Sequence, residues 1–258
     1  SGSVGSALAM DKILAKIVLR HAGLPVLSWT EVDARELEGD VAPLLEKIAA
    51  DRGFPCFVKP TCQGSSIGIT RVEDADGLLA ALEEAFRHGP RALVEPAVQD
   101  PREFEIAILD GSEPLVSDLG EIRLEDDSWY DYEEKYESSR AELVLGPSGL
   151  PEALVSSMKE QALAAFRALE LSGMARVDFL FASSAGRFWL NEVNTIPGFT
   201  SISMYPRLMA DSGVDFTRLL DRLITQALAT REKAPGEAAP FIGSLPDFLH
   251  LNPFNEVG

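Results

Sequence analysis

The chain has 258 residues, 41 acidic and 23 basic, for a formal net charge of −18, which leaves no basic surplus to neutralise nucleic-acid phosphates. A site for a single nucleotide is not excluded, since it needs only a few local cations and metal. Hydrophobic content of 46% suits a chain that buries a core as one large domain or two ordinary ones.

No apolar run reaches the roughly 18 residues of a membrane span. The opening "SGSVGSALAMDK" lacks the charged start and long apolar stretch of a secretory signal, so none is expected. Cys56 and Cys62 are too few and too close for a disulfide scaffold, and they fit a reducing cytoplasm. Cys56 lies in an apolar run and reads as a core residue.

In chain order, "ALAMDKILAKIVLRHAGLPV" has helical spacing through Ile13, Ile17 and Val18 and stops at Gly23 before Pro25. A second helix covers Ala42 to Ala50. "PCFVKP" reads as a buried strand, and "GSSIGITRV" as a glycine-rich turn into its neighbour. Residues 74–88 open on an Asp suited to capping and continue with apolar positions at helical spacing. Strands follow at "ALVEPAV", "EFEIAIL" and "PLVSDLGEIR".

Residues 125–141 are polar, carry three tyrosines and a tryptophan, and show no period. A loop this long inside a compact domain is functional or disordered, and its aromatic content argues against pure disorder. An amphipathic helix at 151–170, strands "MARVDFLF" and "RFWLNEVN", and helical segments at 205–212 and 215–231 complete the pattern. The tail after residue 233 turns to Pro, Gly and Ala and then to scattered apolar residues, reading as a linker plus a docking segment. Strands mixed with helices, several of the strands in hairpins, predict an α+β architecture in two lobes with much antiparallel sheet.

Two stretches carry chemistry. Side chains alternate along a strand, so Glu192 and Asn194 share a face, as do Arg176 and Asp178. The connection "ASSAGR" is short enough for a hairpin. Folded about Ala185, it sets Asp178 opposite Glu192 and Arg176 opposite Asn194, a pairing that a one-residue slip would spoil. Opposed residues have Cβ atoms about 4.5–5.5 Å apart. Two carboxylates so close need a positive partner, and the hairpin alone leaves two open. One is Mg²⁺, which takes hard oxygen ligands and keeps positions for phosphate oxygens; the other is Arg176, in a plain salt-bridged hairpin. In "FVKPTCQGSSIGITRV", Lys59 ends a strand before a loop with Gly64, Ser65, Ser66 and Gly68. Such a loop suits phosphate, but in isolation an ordinary tight turn is the better reading, and the P-loop pattern is absent. Glu95 and Glu103 read by spacing as solvated surface.

Together and in this order the stretches "SALAMDK", "FVKPTCQGSSIGITRV", "LVEPAV", "REFEIAILDG", "YDYEEKY", "ARVDFLF" and "LNEVNTIPGFTSISMYP" resemble the D-alanine–D-alanine ligases of the ATP-grasp superfamily, from about residue 4 to about 231. The resemblance implies an ATP-grasp fold clamping a nucleotide between a lobe at 1–102 and a lobe at 103–233, with 234–258 of unknown role. It implies ATP and two Mg²⁺ ions, with Mn²⁺ able to substitute. Lys12, Lys59 and Lys135 would hold the phosphates, Glu95 and the backbone of Val98 the adenine, and Glu103 the ribose. Asp178, Glu192 and Asn194 would be metal ligands. Arg176 and the N–H of Gly198 would stabilise an oxyanion, and Ser203 with the backbone of Met204 would receive the acceptor carboxylate. Tyr136 would pair with Ser65 to close the 125–141 loop.

The implied reaction joins two D-alanine molecules through an acylphosphate, for peptidoglycan precursor synthesis in the cytoplasm, and a homodimer is compatible with the family. The family also carries an α/β unit before "SALAMDK", whose glutamate grips the first D-alanine; residues 1–11 hold no equivalent. The chain is therefore expected to be a trimmed piece or a natural short form. Two alternatives accompany this reading: an ATP-grasp amide or ester ligase with another acceptor, and a Mg-ATP-binding module inactive without the further unit.

Overall fold

The computed structural model describes residues 1–124, 141–146, 149–200 and 202–232. Two antiparallel sheets organise the chain. The first contains β1 (Thr30–Asp33), β2 (Cys56–Pro60), β3 (Thr70–Val72) and β4 (Arg91–Pro96), in the order β1-β4-β2-β3. Helices α3 (Ala42–Arg52) and α4 (Leu78–Phe86) cover one of its faces. Strand alternation sends Cys56, Val58, Ala92 and Val94 into that helix-covered core, so Phe57, Lys59 and Glu95 face the other way. The capping expected from Asp74 is present, its carboxylate accepting from the N–H groups of Asp76 and Gly77 in a short 3₁₀ turn before α4.

The second sheet holds β5 (Pro101–Leu109), β6 (Leu115–Leu124), β7 (Ala141–Leu145), β8 (Met174–Ala182) and β9 (Arg187–Asn194), in the order β7-β6-β5-β8-β9. Helix α5 (Glu152–Ala168) covers one face through Met158, Ala162, Ala165 and Phe166, packed on Phe104, Ile106, Val177 and Phe179. On the opposite face, α6 (Met204–Asp211) and α7 (Phe216–Glu232) bury Tyr205, Leu208 and Leu219 against Ala107 and Leu109. The Tyr205 hydroxyl donates to Ile108 O at 3.0 Å. Strands β1 and β7 are additions to the elements legible in the sequence.

The single N-terminal helix expected from spacing is two, α1 (Ser3–Met10) and α2 (Lys12–His21). Asp11 breaks them apart because its carboxylate accepts from the N–H groups of Ile13 and Leu14, capping α2. Ala15, Leu19 and Leu24 of this opening segment join the core of the second sheet. Among the described residues, no helix is long and apolar enough to cross a membrane.

Candidate active site

A cleft of about 1340 Å³ runs between the two sheets. Its walls include Lys12, Lys59, Ser65, Glu95, Val98, Glu103, Arg176, Asp178, Glu192, Asn194 and Gly198, so these sequence candidates face one space. Lys135 and Tyr136 lie outside the described residues.

The hairpin pairs Asp178 with Glu192 and Arg176 with Asn194, in the expected register but by another route. From Ala182↔Arg187 to Phe179↔Leu190 the strands pair one for one; the register then shifts, and Asn191 becomes the extra residue of a bulge. Phe188 and Leu190 point into the core, so unbroken alternation would send Glu192 after them. The bulge changes the phase: Val193 takes the core position, and Glu192 and Asn194 turn to the cleft. Asn191 gains a place there too, its Oδ1 accepting from Lys59 Nζ at 3.5 Å.

Arg176 is bidentate on Asp178, Nε and Nη2 each donating at 2.7 Å, so the salt-bridged alternative describes this state of the hairpin. Glu105 on β5 pairs with Asp178 across the strands, which places Glu105, Asp178 and Glu192 in one row. Burial raises the Asp178 pKa and the charge of Glu192 adds to it, while Arg176 opposes both. Glu192 is held below the usual carboxylate range: burial pushes it up, but Lys12, 3.9 Å away, and Arg176 and Lys59 outweigh that.

Asn194 Nδ2 reaches Asp178 Oδ2 at 2.9 Å and Glu192 Oε1 at 3.4 Å, so the three side chains converge. A 180° turn of that amide presents its oxygen instead, giving a set of hard oxygen donors that fits Mg²⁺. Among the described residues no three His, Cys, Asp or Glu side chains form a group that could hold a metal ion.

At the other wall Glu95, 1% exposed, lies between two lysines: Lys59 Nζ at 2.8 Å and Lys16 Nζ at 2.5 Å. Burial would raise Glu95, but the two ammonium groups outweigh it and hold its pKa at about 2. Glu95 is thus not the solvated surface carboxylate that spacing suggested. Burial lowers Lys16 and Lys12, each of which must also share a counter-ion with Lys59 close by. Lys12 Nζ also donates to the carbonyl of Gln63, fixing the start of the 62–68 loop. Ser65 and Ser66 in that loop have φ of 55° and 59°, a left-handed conformation that costs energy outside glycine.

Gly198 faces Ser203, whose Oγ would lie 2.9 Å from a Cβ at residue 198. Ser203 is the N-cap residue of α6, and its Oγ accepts from Thr200 N at 3.1 Å. The Met204 side chain goes to the core, which leaves only its backbone for a ligand. Neither Ser203 nor Met204 lines the main cleft.

Lys16, Glu105 and Asn191 escaped the sequence reading. Lys16 follows Lys12 by one helical turn and Glu105 follows Glu103 by one strand period, so periodicity could have found both. Asn191 had no such signal. Arg102 and Arg123 flank Glu121 at 2.6 and 2.8 Å along the rim, a further pairing not anticipated.

Residues 18–225 match the family model described as the C-terminus of D-ala D-ala ligase. The D-alanine–D-alanine ligase of Prosthecochloris aestuarii is 43% identical over 227 residues, 88% of this chain and 62% of that protein. That of Deinococcus radiodurans is 42% identical over 232 residues, 90% of this chain and 68% of that protein. Among solved structures, the D-alanine-D-alanine ligase from Coxiella burnetii superposes with a TM-score of 0.75 at 32% identity, covering 90% of this chain and 60% of that one. The VanG D-Ala:D-Ser ligase from Enterococcus faecalis gives 0.76 at 35% identity, covering 87% and 63%. The chain therefore spans about three-fifths of the length of the first of these relatives. Two antiparallel sheets facing a cleft, with helices packed on them, are the ATP-grasp fold expected from the motifs.

Proposed function

The chain belongs to the D-alanine–D-alanine ligase family, and from that premise we propose that it binds Mg-ATP in the cleft and serves the ATP-dependent ligation of D-alanine to a second D-alanine. The observation that carries this reading is the registered hairpin, which aims Arg176, Asp178, Glu192 and Asn194 at the same space as Lys12 and Lys59. The triphosphate occupies the end of the cleft where these charges meet. Lys12 and Lys59 draw its oxygens in, and the Ser65 loop lies over it. Adenine sits toward Glu95 and the backbone of Val98, and the ribose hydroxyls toward Glu103. By the resemblance, Lys135 would reach the phosphates and Tyr136 would pair with Ser65; both lie outside the described residues.

Asp178, Glu192 and Asn194 would hold Mg²⁺, two ions by family analogy with Mn²⁺ as substitute, and its charge would neutralise the triphosphate and polarise the γ-phosphoryl group. The first D-alanine carboxylate attacks the γ-phosphorus, the bond to the β-phosphate oxygen breaks, and acylphosphate and ADP result. The second D-alanine is held by its carboxylate at Ser203 and the backbone N–H of Met204, at the start of α6, where a helix N-terminus favours an anion. Its amine attacks the acyl carbon, the amine loses a proton, and inorganic phosphate leaves. Arg176 and the Gly198 N–H face the oxyanion formed in that step, where preorganised donors act strongly. We place the reaction in the cytoplasm, as a step of peptidoglycan precursor synthesis, with small molecules rather than nucleic acid as partners; a homodimer is compatible with it. We further infer a boundary between lobes near residue 102.

A second acceptor deserves a test because a D-Ala:D-Ser ligase is among the similar structures. Calorimetric titration with Mg-ATP, followed by phosphate release with D-alanine alone and with D-serine or D-lactate added, decides between them. Binding with D-alanine-dependent release supports the ligase. Binding without such release supports a nucleotide half-site completed by other parts of the longer relatives. Absence of Mg-ATP binding overturns the proposal.

A further inference from the structure

Arg176 stands between two carboxylates and is hydrogen-bonded to only one. Its Nε and Nη2 both donate to Asp178 at 2.7 Å, while Glu105 Oε2 lies 3.2 Å from the same Nε. Among the described residues that buried oxygen has no hydrogen bond of its own, because the Nε proton is already directed at Asp178. Both side chains are nearly closed to solvent, at 12% for Arg176 and 7% for Glu105. With the guanidinium on both Asp178 oxygens and Asn194 Nδ2 on one of them, a cation approaching that carboxylate competes with donors and with a positive charge already in place. A guanidinium that simply left would be a buried charge without a counter-ion, which is strongly unfavourable.

We propose that Glu105 is the positioning carboxylate onto which Arg176 moves when a divalent cation takes Asp178, an inference that rests on the role given to Asp178 above. A small rotation about the end of the side chain transfers the Nε–H from one acceptor to the other. Glu192 is not the acceptor of this transfer: it faces Lys12 at 3.9 Å and Asn194 at 3.4 Å. Cross-strand pairing fixes Glu105 directly beside Asp178, so the two acceptors are neighbours on adjacent strands and the guanidinium stays at the cleft surface throughout. Glu105 thereby sets both how readily the cation binds and where Arg176 points afterwards.

The test is a calorimetric Mg²⁺ titration of the whole chain saturated with adenosine 5′-(β,γ-imido)triphosphate, in four proteins: unsubstituted, Glu105→Gln, Arg176→Met and the double variant. With Arg176 present, Glu105→Gln should weaken Mg²⁺ roughly tenfold, the scale of coupling between contacting groups. With Arg176→Met, Asp178 is already clear of the guanidinium, and the same substitution should change Mg²⁺ affinity by no more than a few-fold. Equal losses in the two backgrounds overturn the inference, because Glu105 would then act on the cation directly. Should Glu105→Gln not fold, Glu105→Asp keeps the charge but shortens the reach, and the same difference between backgrounds is expected. Unchanged affinity in Glu105→Gln overturns this inference alone; absence of Mg²⁺ uptake by the unsubstituted chain overturns the proposed function with it.

Discussion

Lys16 Nζ lies 2.5 Å from Glu95 Oε1, and this ion pair joins a helix packed on the five-stranded sheet to a strand of the four-stranded sheet. Lys59, next to its own lobe's core residue Val58 in β2, completes the triad from the other side. The carboxylate expected to meet adenine is therefore also a tie between the lobes.

Lys16→Met should destabilise the chain by about 1–3 kcal/mol. Removing one partner of a buried pair costs more when nothing replaces it, but Lys59 remains on Glu95. Urea unfolding, read by the midpoint at constant slope, checks this. Lys16→Arg should recover part of the loss. A Lys16→Met midpoint equal to that of the unsubstituted chain would show that the pair contributes nothing.

Glu95 also predicts an acid dependence. Its folded pKa of about 2 lies below the ordinary 4.5, so its contribution is present above about pH 4.5 and disappears as pH falls towards 2. Glu95→Gln should flatten the stability profile across that window. Parallel profiles for the two proteins would mean that Glu95 is not the group responsible.

Deleting Asn191 tests the bulge. Without the extra residue, alternation returns Glu192 to the Leu190 face, towards the core. Mg-nucleotide binding should be lost and stability reduced, whereas Asn191→Ala, which keeps the backbone length, should retain binding to within about tenfold. Calorimetry on both variants distinguishes phase from side chain.

Gly5→Ala should destabilise although Ala is the better helix former by about 1 kcal/mol. A Cβ at residue 5 would sit 2.8 Å from the backbone carbonyl oxygens of both Leu169 and Glu170. Backbone at that distance cannot move aside cheaply, so a net loss of about 1–3 kcal/mol is expected. A rise in melting temperature would show that α1 shifts freely.

Local periodicity in the sequence was enough to determine most helices and strands, the antiparallel hairpins and the shared face of Arg176 and Asp178. Those are short-range properties: spacings of two and of three to four residues follow from backbone geometry alone. The ordered motifs also determined the family and, through it, a list of candidate residues, most of which face one cleft.

Three things needed the tertiary structure. The break at Asp11 arose because its carboxylate captures N–H groups of the helix it starts, a choice that competes closely with continuing the helix. The orientation of Glu192 depended on a bulge at Asn191, which is set by how Leu190 and Val193 both reach the core. Lys16 and Glu105 acquired their partners only when separate elements docked. A strand carries its own alternation, but nothing local in it states which neighbouring side chain will lie opposite or whose charge will neutralise its own.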